Sequence, residues 1–406
     1  MILKMNVVIF HENNEGFGGM ETLLLRFYDY FCAHGFEVFY ISKHDTYSAR
    51  GYSRPNMVFL GEAYKQLISR RFLIRQLKEL GVADIRLAIA MDSFSALIAP
   101  LLSTIQRHKQ CVALATNWVP NYFRMQNTKR YHPMSLAQSY NLKKHYNRDS
   151  ILFMTSQYIS EGRMILGPDW NATLFPVPIN AARYSSVKRS PDRKKIVSVG
   201  RLASMKEYNL YMPEILARLV AKGYDVHWDV YGVGEYKGQV ENEIKKGGLT
   251  GRINLLGELP YEKFPEVLAK AGYFLGMGTA VLEAAAAGVP NIVAVAYDAT
   301  GITHGPLYAQ KYGNLGEVDK TQELYQVEDE LRRLLRCSEE DYQRECVRNA
   351  DAARAYDETM LLAKLENKLR LKPIPPSFFF YSLLDAYATL RWMFTRVCSL
   401  ASMFRK

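Results

Sequence analysis

Short apolar runs alternate with longer helix-like runs in two successive series, and this alternation limits the fold more than any other feature of the chain. In the first series, strand-like runs cover residues 5–10, 37–42, 86–91 and 111–116. Short buried-type strands separated by helices of ten or more residues predict a parallel sheet covered on both faces.

A second series follows a segment rich in proline, serine and charge, residues 174–195. Its strand-like runs cover residues 196–200, 225–232, 253–257, 273–278 and 291–296. A chain of 406 residues also exceeds the usual size of one hydrophobic core. We therefore predict two Rossmann-like α/β domains, residues 1–180 and 181–350, with ligands in the cleft between them, at the carboxyl ends of the strands.

Charge and cysteine content limit the partners and the compartment. More than half of the formal net charge of +11 lies before residue 180, in runs such as 69–78 and 141–148. This favours a solvated helix face, membrane lipid or a lipid-linked acceptor over nucleic acid, because no zinc-type spacing or RNA-binding aromatic motif accompanies it. Five widely spaced cysteines, no fitting secretory signal and no run of 18 apolar residues predict a cytoplasmic protein, peripheral on the inner face of the membrane at most.

The segment GMGTAVLEAAAAGVP (276–290) contains one carboxylate among small apolar residues. Its glycines allow a tight turn after a strand, and its alanines favour a helix that starts at Gly278 to Ala280. The N–H groups of such a helix start suit a diphosphate. Glu283 lies four residues after Thr279 on the same helix face, where it would accept hydrogen bonds from ribose hydroxyls. The alternative is a glutamate that only favours the helix dipole.

Two cations follow the first strand of the second series, in the run VGRLASMKEYN (199–209). Gly200 ends the strand, and Arg201 and Lys206 lie in the loop after it. This arrangement suits a leaving diphosphate, whose negative charge grows as its bond to a sugar breaks. The alternative is a pair of ordinary surface cations.

Gly18 and Gly19 follow the first strand of the chain, in the run NNEGFGGMETLLL (13–25). They allow close approach of the backbone to a ligand, and the helix after them offers further N–H groups. Glu21 would contact substrate or simply occupy the first helical turn. The alternative for the whole segment is a flexible loop.

Four segments, GGMETLLL, VGRLASMK, YGVGEY and GMGTAVLEAAAAGVP, resemble in order and separation those of the retaining GT-B glycosyltransferases of family 4. These are the glycosyltransferase group 1 proteins of bacterial envelope polysaccharide synthesis. The resemblance extends from about Met5 to Leu371. It implies a GT-B fold with an interdomain cleft, a helix over residues 351–371 that crosses back to the N-terminal domain, and a C-terminal helical extension over residues 372–406.

The resemblance also implies an activity and a site. A sugar would pass from a nucleotide-sugar donor to a glycan or lipid-linked acceptor with retention, in lipopolysaccharide, O-antigen or capsule biosynthesis, without a metal or other cofactor. The sequence agrees in that it contains no Asp-x-Asp pair. Arg201 and Lys206 would hold the diphosphate, and Glu283 the ribose. The residues implied to bind the donor are Gly18, Gly19, Gly200, Gly278, Thr279 and Ala280.

Two positions depart from the family pattern. The family often has a further glutamate, in contact with the donor sugar, where this chain has Leu275. It often has a histidine in the acceptor region, where the nearest match here is Asn117. Asn117 and Trp118 would bind a sugar by hydrogen bonding and stacking, or form an ordinary loop. Asp92 would bind the acceptor or cap the next helix.

The C-terminal extension carries an apolar stripe at helical spacing, within residues 377–404. Charged residues interrupt it too often for a bilayer span. The stripe suits a helix in the membrane interface, and the alternative is packing against the protein's own domains or a partner chain.

Other functions fit the two-domain pattern less well. A nicotinamide dehydrogenase needs Gly-x-Gly-x-x-Gly, and the nearest run, GVGEYK, has Lys237 in place of the third glycine. No Walker sequence is present either. A GT-B-like nucleotide-binding scaffold without transfer activity and a nucleotide-sugar epimerase remain as alternatives.

Overall fold

The computed structural model contains two α/β units, each built on a parallel sheet. The residues that it describes are 5–13, 18–105, 108, 110–117, 133–167, 173–386 and 389. The first unit comprises Met1–Phe175 with Leu362–Lys406, and the second comprises Pro176–Leu361. The chain therefore passes into the second unit near the boundary predicted after residue 180.

The first unit contains a seven-stranded parallel sheet in the order β3-β2-β1-β4-β5-β6-β7. The short strands β3, β6 and β7 were not predicted, because runs of two or three residues show no periodicity. The strands are β1 Asn6–His11, β2 Glu37–Ser42, β3 Met57–Phe59, β4 Ile85–Ala90, β5 Val112–Asn117, β6 Ile151–Phe153 and β7 Thr173–Leu174.

Helices connect these strands. The predicted helix after β4 is short, because its continuation, Ala99–Thr104, contains Pro100 and forms a 3₁₀ helix. The α-helices of this part, as far as the described residues go, are α1 Gly19–Ala33, α2 Arg70–Glu79, α3 Ser95–Ile98, α4 Pro133–His145 and α5 Ser156–Leu166.

The second unit contains a five-stranded parallel sheet in the order β10-β9-β8-β11-β12. Its two faces pack against separate hydrophobic cores, so that the consecutive residues Ile196 and Val197 belong to different ones. The strands are β8 Asp192–Val199, β9 His227–Tyr231, β10 Ile253–Leu255, β11 Ala271–Gly276 and β12 Asn291–Val293; an antiparallel pair follows, β13 Ile302–Thr303 and β14 Tyr325–Gln326.

Strand β8 begins inside the segment that we predicted as a linker, residues 174–195. Its charged start was read as loop, yet Lys195 pairs with His227 in the ladder and forms an ion pair with Asp229 (3.1 Å). Arg193 lies over the ring of Tyr342. Ion pairing and cation–π contacts thus hold charged side chains on a strand whose remaining half is apolar.

The second unit has eight α-helices in its described residues, the last of which extends past its end. The single helix predicted over residues 351–371 is wrong, because two helices cover this stretch. Between them the backbone of Tyr356 and Glu358 pairs with Ile179, which breaks the helical hydrogen bonding. The helices are α6 Ala181–Ser185, α7 Tyr208–Ala221, α8 Lys237–Lys246, α9 Phe264–Lys270, α10 Thr279–Ala286, α11 Val327–Leu335, α12 Glu339–Arg354 and α13 Glu358–Lys368.

Residues 378–386 form a helix that packs on the first unit. Tyr381 is buried and donates its hydroxyl to the Leu97 carbonyl (2.9 Å) and to Asn141 (3.0 Å), and Leu384 lies in the same core. Residues 390–404 of the predicted stripe lie outside the described part of the chain. Across the described residues, no helix has the length and apolar character needed to span a bilayer.

Candidate functional site

The strand-end loops of the second sheet are held together by close backbone contacts that require glycine. A Cβ atom on Gly232 would lie 1.9 Å from the Gly200 carbonyl oxygen, and one on Gly234 would lie 2.2 Å from the Leu202 carbonyl oxygen. The Gly200 amide donates to the Tyr231 carbonyl (2.8 Å). The loops after β8 and β9 are thus held by close main-chain contacts, to which the hydrogen bonds from the Tyr236 hydroxyl to Glu207 (2.8 Å) and from the Ser204 amide to Glu235 (3.3 Å) add. The side chains of Arg201 and Lys206 take no part in these bonds.

Arg201 and Lys206 lie together in the loop after β8. Arg201 is exposed and Lys206 is half-buried, and the Lys206 ammonium packs over Gly200. Desolvation, with a smaller contribution from the Arg201 charge, lowers the pKa of Lys206 to about 8. Within the described part of the chain, neither cation has a carboxylate at ion-pair distance. Two close positive charges without a counter-ion among these residues are suited to an anionic ligand.

Helix α10 starts at the end of β11, the neighbour of β8 in the sheet, so its N-terminus lies at the same sheet edge. Gly278 precedes the helix with φ 70°, a conformation that glycine adopts readily. Of the three amides predicted to hold phosphate, that of Gly278 already donates to the Leu315 carbonyl (2.8 Å). The amides of Thr279 and Ala280 lie in the first turn, where an α-helix provides no acceptor for them.

Glu283 is buried, with 4% of its surface exposed. It lies one turn after Thr279 and Ala280, which are half-buried, so all three share a helix face. The Tyr261 hydroxyl donates to Glu283 Oε1 (3.0 Å). Ribose binding by Glu283 stays a prediction, and the carboxylate that would perform it is already in contact with a tyrosine.

Tyr261 and its neighbours are the part of this site that sequence reasoning missed. The Arg183 guanidinium lies 4.4 Å from the centre of the Tyr261 ring and donates to the Tyr261 carbonyl (3.1 Å). Tyr184 is fully buried beside them. The signal was available, because Tyr261 follows β10, and the carboxyl-end rule applies to every strand of a parallel sheet.

Leu275 lies within β11, fully buried in one core of the second unit. A side chain at this position packs against the sheet's helices. The departure from the family pattern at Leu275 therefore concerns the core and not a surface open to a ligand.

In the first unit, Gly18 and Gly19 lie at the start of α1. Gly18 is the N-cap residue in an extended conformation, and its carbonyl accepts hydrogen bonds from the Thr22 amide (3.1 Å) and hydroxyl (2.9 Å). Glu21 is buried in the first turn. Residues 14–17, which precede them in the chain, lie outside the described part of the chain. Donor or acceptor contact by Gly18 and Gly19 stays a prediction.

Asp92 follows β4 and caps the turn that leads to α3. Its Oδ1 accepts the amides of Phe94 and Ser95 (both 2.9 Å), and its Oδ2 accepts the Glu12 amide (2.7 Å) and the Ser95 hydroxyl. Burial raises the pKa of Asp92, although these hydrogen bonds oppose the shift. Both oxygens thus serve the fold of two loops, and acceptor binding by Asp92 stays a prediction.

The remaining predicted acceptor residues lie at the edge of what the structure describes. Asn117 is the last residue of β5 and pairs with Phe153 of β6. Trp118 lies outside the described residues. Their predicted contact with a sugar acceptor stays a prediction.

Comparison with known proteins identifies a domain within the second unit. Residues 183–350 match the family model "Glycosyl transferases group 1". This stretch carries a glycosyl transferases group 1 domain. It contains Arg201, Lys206 and Glu283, and it leaves the first unit unmatched. No curated protein matches the sequence of this chain significantly.

Solved structures match nearly the whole chain at low sequence identity. A complex of an S. aureus TarM variant with fondaparinux, α-GlcNAc-glycerol and UDP has a TM-score of 0.64 at 12% identity, over 91% of this chain and 100% of that one. Anabaena HepE in complex with UDP and glucose has a TM-score of 0.59 at 13% identity, over 90% and 99%. The lipopolysaccharide outer core galactosyltransferase WaaB has a TM-score of 0.59 at 15% identity, also over 90% and 99%. These likenesses show the fold, which is GT-B as predicted.

Proposed function

We propose that the protein is a glycosyltransferase that moves a sugar from a nucleoside-diphosphate donor to a glycan or lipid-linked acceptor. One observation carries the proposal. Arg201 and Lys206 lie side by side without a carboxylate at ion-pair distance in the described residues, at the carboxyl edge of the sheet in the domain that matches the family. Such a pair suits a diphosphate, and UDP is bound in two of the similar structures.

The proposed reaction retains the configuration of the sugar. The bond between the anomeric carbon and the donor phosphate oxygen breaks, and the acceptor oxygen forms a bond to the same face of that carbon. The acceptor proton passes to the leaving phosphate oxygen. Arg201 and Lys206 stabilise the charge on the leaving diphosphate, Glu283 holds the ribose, and the amides of Thr279 and Ala280 hold phosphate, so that catalysis consists of positioning and electrostatic stabilisation.

We propose that this transfer uses no metal and belongs to envelope polysaccharide synthesis, on lipopolysaccharide, O-antigen or capsule. The missing Asp-x-Asp pair supports the first point. The similarity in fold to WaaB, a lipopolysaccharide outer core galactosyltransferase, supports the second.

A panel of nucleotide sugars tests the proposal. We expect one nucleoside diphosphate to raise the melting temperature, and its sugar conjugate to be hydrolysed slowly without acceptor and consumed faster with an envelope-lipid acceptor. EDTA should leave the rate unchanged. Binding without any transfer would favour the scaffold alternative. Conversion of the donor into its epimer would favour the epimerase, and no binding by any nucleotide would reject all three functions.

We propose further that the tail helix, residues 378–386, contacts an anionic membrane surface. Its inner face is packed through Tyr381, while Phe378 is 88% exposed, Phe379 73% and Leu383 56%. The exposed Lys143 and Lys144 lie at the end of α4. The next residue, His145, contacts the tail helix, since the centres of the His145 and Phe380 rings are 5.2 Å apart. Aromatic side chains beside lysines are typical of interfacial contacts with anionic lipid.

Vesicle flotation tests this contact. Because Tyr381 and Leu384 belong to the core, deletion of residues 373–406 would also disturb the fold, and point changes are the sharper test. We expect Phe378→Ser with Phe379→Ser to reduce binding to anionic vesicles and leave nucleotide binding unchanged. Met360→Ser, at another exposed apolar residue (62%), is the control. Equal flotation of all three proteins would reject the membrane contact.

A further inference from the structure

The carboxylate assigned to the ribose is covered by a tyrosine. Glu283 is 4% exposed, and the Tyr261 hydroxyl donates to its Oε1 at 3.0 Å. Tyr261 itself is half-buried, in the 3₁₀ turn Tyr261–Lys263 that follows β10. A ligand hydroxyl that binds Oε1 of Glu283 therefore competes with the Tyr261 hydroxyl for that oxygen.

The main chain of Tyr261 is fixed, whereas its hydroxyl has an alternative partner nearby. Arg183 holds the Tyr261 carbonyl and lies over its ring. Tyr184, adjacent to Arg183 in the chain, is fully buried, and its hydroxyl has no hydrogen-bond partner among the described residues. Burial, then the charge of Glu283, then the charge of Tyr261 and an interaction between the two tyrosine hydroxyls raise the pKa of Tyr184. The Tyr261 hydroxyl is thus already within reach of Tyr184, although the two do not form a hydrogen bond of normal geometry. A buried hydroxyl without a partner is costly and is normally satisfied in some state of a protein.

We propose that Tyr261 makes the hydrogen bond to Glu283 that a ribose hydroxyl takes over when a nucleoside diphosphate binds, and that the Tyr261 hydroxyl then turns to Tyr184. This inference rests on the proposed function, in which Glu283 holds the ribose. Tyr261 then tunes specificity, because its hydrogen bond to Glu283 must break before a ribose hydroxyl can replace it. It lowers the affinity for a nucleotide with ribose hydroxyls and leaves that for a dideoxy nucleotide unchanged. A dideoxy nucleotide has no hydroxyl to offer Glu283, so it binds with the hydrogen bond between Tyr261 and Glu283 intact.

The substitution Tyr261→Phe distinguishes two roles for the tyrosine. In one, a ribose hydroxyl displaces the Tyr261 hydroxyl from Glu283; in the other, Tyr261 only holds Glu283 in position for the ribose. If Tyr261 must be displaced, Tyr261→Phe removes the competitor, and UDP binds more tightly, by about three- to tenfold, the range of one net hydrogen bond. The affinity for 2′,3′-dideoxy-UDP stays unchanged, because this ligand never displaces the tyrosine. If Tyr261 instead supports Glu283, the same change weakens UDP binding toward that of the dideoxy ligand.

Calorimetric titration of the full chain with UDP and with 2′,3′-dideoxy-UDP measures the preference for UDP, which is the ratio of the two affinities. The expected result is a larger preference for UDP in Tyr261→Phe than in the wild type; an equal or smaller preference would overturn the proposal. Tyr308→Phe is the matched control, since Tyr308 is also half-buried and donates to a buried carboxylate, that of Glu345 (2.9 and 3.0 Å). It should leave both affinities unchanged.

Tyr184→Phe gives an independent test. It removes the second partner, so we expect a higher melting temperature in the absence of nucleotide and UDP binding weaker by about two- to fivefold. Unchanged UDP affinity would contradict the turn toward Tyr184. If the wild type binds neither UDP nor any other nucleoside diphosphate, the proposed function fails. If it binds UDP without preference over the dideoxy ligand, only the role of Glu283 and Tyr261 fails.

Discussion

The strand-end loops of the two sheets are held in different ways. In the first unit, side chains hold them: Asp92 accepts four hydrogen bonds from two loops, Glu12 pairs with Lys65 (3.1 Å), and Lys43 pairs with Glu62 (2.7 Å). In the second unit, close main-chain contacts at glycines hold the loops after β8 and β9, while Arg201 and Lys206 have no carboxylate at ion-pair distance in the described residues.

This difference separates residues that maintain the fold from residues available to a ligand. A buried carboxylate with four hydrogen bonds is fully used by the structure, and its removal leaves several donors unsatisfied. An exposed cation such as Arg201, in a loop that glycines have already fixed, contributes little to stability and keeps its charge for an anion. We therefore expect substitutions at the strand ends of the first unit to change stability, and those in the second unit to change binding and rate.

The largest expected effect is on catalysis, from Arg201→Ala. Removal of one group that stabilises developing charge should lower the transfer rate by about 100- to 1000-fold. The melting temperature should stay within about 2 °C of the wild type, because such surface substitutions barely change stability. Initial rates and thermal melts measure the two quantities.

Arg344→Ala is the control for this change, since Arg344 is exposed in the same unit and its ion pairs among the described residues lie on the surface of its own helix. Its rate and stability should both equal those of the wild type. A normal rate for Arg201→Ala would show that the diphosphate binds elsewhere and would remove the distinction between the two units.

The second-largest expected effect is a loss of folding stability, caused by Asp92→Ala. Loss of a cap and of the bond to the Glu12 amide should lower the free energy of unfolding of the first unit by about 2–4 kcal/mol, measured by urea denaturation. Asp92→Asn keeps one acceptor oxygen and should lose about half as much. An Asp92→Ala protein of normal stability that fails only with the acceptor would assign Asp92 to acceptor binding and contradict the comparison.

Sequence patterns predicted most of the architecture for physical reasons. Strands such as β2 and β12 are apolar on both faces, since a parallel sheet buries both, and so they stand out from their surroundings. The charged start of β8 does not stand out in this way. Its lysine and arginine are held by contacts with Asp229 and Tyr342, which lie far along the chain. Leu383 belonged to the predicted apolar stripe, yet Tyr381 and Leu384 provide the packed face of the tail helix.

The site was predictable where it depends on neighbouring residues, and not where it depends on contacts between distant segments. Glycines and a helix start are local features, so the turns at Gly200 and Gly278 follow from neighbouring residues. The contact between Tyr261 and Glu283 joins two separate strand-end segments, and no local pattern contains it. The same holds for Asp92, whose third partner, Glu12, lies 80 residues earlier in the chain.

The smallest expected effect is a pH dependence that belongs to Lys206. Its pKa in the folded protein is about 8, below the ordinary value of 10.5, because desolvation and Arg201 disfavour the ammonium. As the pH rises from about 7 to about 9, Lys206 loses its proton and UDP affinity should fall by about tenfold. Stability should change in the opposite direction between pH 8 and 10.5, since the unfolded lysine keeps the proton that the folded one has lost. Titration calorimetry and thermal melts across this range measure both slopes. In Lys206→Arg, whose guanidinium stays charged, both slopes should flatten; a wild-type affinity that is constant with pH would mean that Lys206 does not contact the diphosphate.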